Sequence, residues 1–133
     1  MKLPPAGIIR HEPPLDDLLL VVRGGANSLS DSVLERSVGD CWEQYAFFGV
    51  SVFGVPGDDL VVLSRSTMAI RRRSKVRTAR CGELRAAGFE VMATFTNPGH
   101  YSVVLSDATP ERFALLRSCF SSPVDNPGFK PDL

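Results

Sequence analysis

The strongest constraint on the fold is a short apolar run, Leu18-Leu19-Leu20-Val21-Val22, set between Asp16-Asp17 and Gly24-Gly25. It shows no polar alternation and ends on β-branched residues, which reads as a strand buried on both faces. A strand of that kind belongs inside a sheet, so the rest of the chain must supply neighbours and a covering of helices. Arg23 closes the run and the glycine pair turns the chain.

The covering begins at once. Leu29, Val33, Leu34, Val38, Cys41, Trp42 and Tyr45 recur at three- and four-residue steps, which predicts a helix over Leu29–Phe47. Ser32 with Glu35 matches a capping box, Ser28 with Asp31 offers another start, and Gly49 is a stop. Val50–Val55 reads as a second strand and Pro56-Gly57-Asp58 as a turn. A helix is predicted over residues 59–72, capped by Asp58 or Asp59, although Leu60–Leu63 also suits a strand. Lys75–Thr78 reads as a strand and Ala79–Ala87 as a helix capped by Thr78 and ended by Gly88. Phe89–Phe95 and His100–Leu105 form a hairpin through Asn97-Pro98-Gly99. Thr109 and Pro110 open a last helix that buries Phe113, Leu116 and Phe120.

The order β-α-β-α-β-α-β-β-α implies an α+β fold with an α/β-like start. The expectation is a five-stranded mixed sheet, with parallel neighbours early and an antiparallel hairpin before the C-terminal helix. Proline-rich ends frame it: residues 1–14 as an extended arm, 15–120 as one domain, and 121–133 as an extended or loosely held tail. No apolar run is long enough to span a bilayer, and Met1–Pro5 lacks a secretory apolar region, so a cytoplasmic protein without a membrane partner is expected. Cys41, Cys81 and Cys119 have no ligand spacing and should pack as small hydrophobes. No metal and no cofactor is expected, and neither GxGxxG nor a Walker loop occurs.

Charge carries the functional lead. The chain sums to zero, yet Arg65–Arg80 holds seven of the fifteen basic residues and no acid. Residues 1–64 carry four basic and nine acidic groups, and residues 81–133 carry four and six. An acidic body around a +7 segment points to an anionic partner, either nucleic-acid backbone or an acidic protein surface. The candidate contacts are Arg65, Arg71, Arg72, Arg73, Lys75, Arg77 and Arg80. The alternative is a solvated helix end and a charged strand edge that resists aggregation. The segment contains no aromatic residue, so base stacking is not supported there. The predicted first helix is acidic outside, through Asp31, Glu35, Asp40 and Glu43, and with Trp42 and Tyr45 it also suits a cationic partner.

Candidates for chemistry are sparse. Arg23 stands at a strand end before two glycines, where open α/β sheets place ligands; pairing with a carboxylate is the alternative. His100 and Ser102 share a strand face just after a turn. Convergence of Arg23, His100 and Ser102 would suit metal-independent phosphodiester or acyl-transfer chemistry; a histidine satisfied by a local hydrogen bond is the alternative.

Two resemblances accompany these residues. Val21-Val22-Arg23-Gly24-Gly25, Gly49-Val50-Ser51-Val52-Phe53 and Leu84-Arg85-Ala86-Ala87-Gly88-Phe89 resemble stretches of a group of small proteins from GC-rich bacteria. That resemblance covers most of residues 15–127, implies one self-contained domain and brings no activity. A second resemblance is to ADP-ribosyltransferase-like toxins, whose strand-end Arg corresponds to Arg23 and whose Ser/Thr motif corresponds to Ser64, Ser66 and Thr67. The family's paired-glutamate motif is missing, since Glu90 and Glu111 stand alone. The expected function is therefore a small bacterial binding or accessory module, antitoxin-like or defence-related, engaging an anionic partner through its basic patch. The alternative is a small ribonuclease-like or ADP-ribosyltransferase-like enzyme using Arg23 and His100.

Overall fold

The computed structural model describes residues 1–12 and 16–131. The boundary expected between arm and domain, and the last two residues of the tail, lie outside the described residues. The fold is α+β, with one antiparallel six-stranded sheet. The strands are β1 (Leu19–Gly24), β2 (Phe48–Pro56), β3 (Lys75–Arg80), β4 (Glu90–Ala93), β5 (His100–Leu105) and β6 (Val124–Asp125). The helices are α1 (Asp31–Tyr45), α2 (Leu60–Ser66), α3 (Met68–Arg71), α4 (Cys81–Ala86) and α5 (Pro110–Cys119). The spatial order is β4-β5-β2-β1-β3-β6.

Of the run Leu18–Val22, Leu19–Val22 lies at the heart of this sheet and is buried on both faces, while Leu18 precedes the strand and is exposed. Leu19 and Val21 join a large cluster with Leu34, Val38, Leu84, Phe113 and Leu116 from α1, α4 and α5. Leu20 and Val22 face the other way, into a smaller cluster with Val55, Leu63, Ile70 and Val76 beneath α2 and α3. Alternate residues of one strand thus feed two cores, which is why no polar residue interrupts the run.

The mixed sheet with parallel neighbours is not found. The connections through α2–α3 and α4 do join strands that run in one direction, β2 to β3 and β3 to β4, but an antiparallel strand always intervenes. The expectation had treated consecutive strands as neighbours, and β1 instead inserts between β2 and β3. The predicted helix over 59–72 is broken at Thr67, whose backbone is extended (φ −134°, ψ 102°). The break separates α2, capped by Asp59 through Val62 N–H, from α3, which buries Ile70.

The sixth strand comes from the tail. Lys75 and Val76 pair with Asp125 and Val124. Just beyond, Asn126 is buried and its amide donates to the carbonyls of Ile70 and Arg73 at 3.0 and 3.1 Å. Gly128 follows so close to α2 that an added Cβ would stand 2.5 Å from the Ser64 Cβ. The arm is fastened too: Ile9 bridges Thr94, and Arg10 donates through its guanidinium to the carbonyls of Thr94, Asn97, Pro98 and His100. This contact lies along β4, the outermost strand on that side of the sheet, and shields an otherwise bare edge.

β2 is staggered, which creates the site. Its ladder with β1 runs only from Pro56 to Phe53, while its ladder with β5 runs from Phe53 to Phe48. The first half of β2 therefore continues past the end of β1, and the chain leaving β1 turns beside it.

Candidate functional site

The turn is built from residues 24–30. Gly25 adopts φ +103°, a conformation that L side chains rarely take, and its N–H donates to Lys75 O at 2.9 Å. Arginines hold this turn through its carbonyls. Arg23 Nε donates to Ser28 O, Arg77 Nε to Ala26 O, and Arg117 Nη1 to Leu29 O. Arg23 also donates from Nη1 to Ser51 O at 2.6 Å, on the half of β2 that β1 does not pair.

Beside this turn lies a cleft of about 510 Å³, with Arg23, Asn27, Ser51, Phe53, Ile70 and Arg73 among its lining residues. None of the lining residues is an aspartate or glutamate. Arg23 is half-buried, and burial first, then the neighbouring Arg73 charge, lowers its pKa from the ordinary arginine value. Its hydrogen bonds go to carbonyl oxygens, which accept N–H groups without neutralising the charge. An added Cβ at Gly24 would meet Arg73 Cγ at 3.0 Å, so the glycine lets the Arg73 stem pass close to the strand end. The cleft thus sets a half-buried guanidinium beside an exposed arginine of like charge, an arrangement that a bound anion relieves.

The basic segment does not form one patch. Lys75 pairs with Asp125, and Arg80 pairs with Asp58 while donating to Leu18 O and Gly57 O. Arg77 bonds Ala26 O and Ser121 O. These three support the fold. Arg72 is exposed and has a partner in the fold. Arg73 enters the cleft. Arg65 and Arg71 line a second, smaller pocket of about 190 Å³ with Val61, Pro127, Gly128 and Lys130, with no carboxylate among its described lining residues. Lys130 arrives there because its N–H donates to Arg71 O at 2.9 Å. Neither it nor Asn126 stood out in the sequence, since both lie in a proline-rich tail without apolar period.

His100 and Ser102 do not join Arg23. The His100 Nδ1 lies 2.9 Å from Thr94 Oγ1, which in turn lies 2.8 Å from Ser102 Oγ. The imidazole is packed edge-on between Phe53 and Phe95, at ring-centroid distances of 5.5 and 5.1 Å. Burial lowers its pKa, against a raising hydrogen bond with Thr94 and with a smaller lowering from Arg10. Neither His100 nor Ser102 lines the arginine cleft; Ser102 opens instead into a separate pocket of about 250 Å³ beside Cys41, Gln44 and Tyr45 of α1. The three-residue convergence considered from the sequence is thus absent, because Phe53 fills the space next to the imidazole.

The residues aligned with the toxin motif are likewise dispersed from Arg23: Ser64 is buried against Asn126, its hydroxyl donating to the amide oxygen at 3.2 Å, and Thr67 is buried at the helix break. The three thiols are free, and burial pushes each above its ordinary pKa. Trp42 on the acidic helix stacks on Phe48 at 4.6 Å with the Lys2 ammonium over its ring. Among the described residues no group of His, Cys, Asp and Glu could hold a metal ion, and no helix is long and apolar enough to cross a membrane.

Comparison of the chain with protein-family models finds no match, and comparisons with curated proteins and with solved structures find none either.

Proposed function

We propose that this protein is a binding module for phosphate groups, those of a nucleic-acid backbone foremost, and that it takes them at the Arg23–Arg73 cleft. The observation that carries the reading is a half-buried guanidinium that donates to carbonyls, set beside a second arginine in a cleft with no carboxylate among its described lining residues. Guanidinium groups in such a setting favour phosphate oxygens, because a charge-assisted hydrogen bond replaces the water lost on burial. Phosphate contacts position a nucleic acid without reading its sequence, which suits a site with few polar side chains directed at base edges.

The test is a salt titration of binding to a short single-stranded RNA. Binding should weaken steeply as salt rises. Arg73→Ala should weaken it about tenfold and reduce the salt slope by about one. Lys75→Ala, which removes a cation already paired with Asp125, should leave affinity unchanged. No binding at low salt would refute the proposal, as would equal loss from the two variants. Binding of polyglutamate as tight as that of RNA would favour an acidic protein partner instead.

A further inference from the structure

The two pockets are neighbours, neither has a carboxylate among its described lining residues, and their difference in size bears on what kind of strand fits. Arg71 borders the smaller pocket and Arg73 the larger. They are two residues apart, so their Cα atoms lie within about 7 Å of each other. Cations of both pockets therefore flank the end of one short helix, α3.

The larger cleft is a cavity of small-molecule size, about 510 Å³, bounded by the apolar residues Val22, Phe53 and Ile70 as well as by its arginines. A recess of that size accepts one nucleotide and does not accept a duplex. Its two guanidinium groups also exceed what one internal phosphodiester supplies, a single negative charge. A terminal phosphate monoester carries about −1.5 to −2 at neutral pH and three acceptor oxygens. The smaller pocket differs in size: Arg65, Arg71 and Lys130 border a space of about 190 Å³, room for a phosphate group rather than a whole nucleotide.

We infer that the ligand is a single strand held by its phosphorylated end, with the terminal phosphate between Arg23 and Arg73 and a following backbone phosphate against Arg65, Arg71 and Lys130. This rests on the phosphate-binding reading above and deepens it. The C-terminal segment is part of the site, because Lys130 reaches Arg71 only when Asn126 and Gly128 are seated against α2 and α3.

Calorimetric titration of unlabelled eight-nucleotide oligouridines distinguishes the components. Three ligands are compared at one salt concentration: 5′-phosphorylated, 3′-phosphorylated, and hydroxyl at both ends. One end-phosphorylated strand should bind roughly tenfold tighter than the hydroxyl-ended strand. Arg73→Ala should abolish that preference. The double variant Arg65→Ala/Lys130→Ala should weaken all three ligands alike, keep the end preference, and lower the salt slope by about two. Equal binding of the three strands would overturn the end-recognition inference while leaving backbone binding in place. Failure of all three to bind would overturn both proposals. A phosphoserine peptide binding as tightly as the preferred strand would overturn the assignment to nucleic acid.

Discussion

At the scale of single residues, the arginines divide by what they touch. Arg10, Arg77 and Arg117 donate to backbone carbonyls and hold loops, and Arg80 joins two carbonyls to Asp58. Arg23 and Arg73 have no carboxylate among the described residues that line their cleft. Sequence alone assigns all of them one formal charge. His100 shows the same dependence on surroundings. Unfolded, it takes up a proton near pH 6.5, whereas burial holds the folded imidazole lower. Between those two values the unfolded chain binds more protons, so stability falls as pH falls. Stability should be full above about pH 6.5, decline below it, and level off once the folded imidazole is also protonated. Thermal unfolding across pH should show this decline, and His100→Gln should reduce it. An identical pH profile in the variant would remove His100 as its source.

At the scale of elements, local chemistry was legible where a side chain acts on its own backbone. Thr109 caps α5 by accepting from Arg112 N–H, with Pro110 in the first turn, as its position before an apolar pattern implies. Asp59 caps α2 in the same way. The start of α1 was not legible: Ser32 and Ser28 were the expected caps, and Ser30 between them takes the role by accepting from Val33 N–H. Its end was misread. α1 stops at Tyr45, and Ala46 takes the left-handed conformation (φ 60°, ψ 37°) that glycine usually supplies, three residues before Gly49. Packing of Phe47, fully buried, fixes that early exit. Alanine is disfavoured in this conformation, so Ala46→Gly should raise stability by about 0.5–1 kcal/mol. Urea denaturation measures it, and a lowered midpoint would show that the native turn is not limited by the alanine.

At the scale of the whole molecule, the ends of the chain complete the fold. The arm covers β4 through Ile9 and Arg10, and the tail adds β6 and carries Asn126 under α3. Asn126 accepts from Ser64 Oγ and Gly128 N–H while its amide satisfies two carbonyls. Asn126→Ala leaves those buried groups without partners and should cost about 2–3 kcal/mol. It should also weaken RNA binding through the displaced Lys130. Chemical denaturation and the calorimetric titration together check this; full stability in the variant would refute the role given to Asn126.

The sequence by itself determined that the chain is α+β, that Leu19–Val22 is buried on both faces, and where α2 and α5 begin. Those properties follow from periodicity and from caps that act within a few residues. Only the tertiary structure decided that the sheet is antiparallel throughout, that the tail supplies a sixth strand, and that Arg23 meets Arg73 while His100 stays behind Phe53. Strand adjacency depends on which apolar faces fit together across long sequence separations, and no local pattern records it. The same long-range packing sets which charges are neutralised, and so divides a +7 segment into three cations that support the fold, Arg72 at the surface, and three arginines that line two pockets.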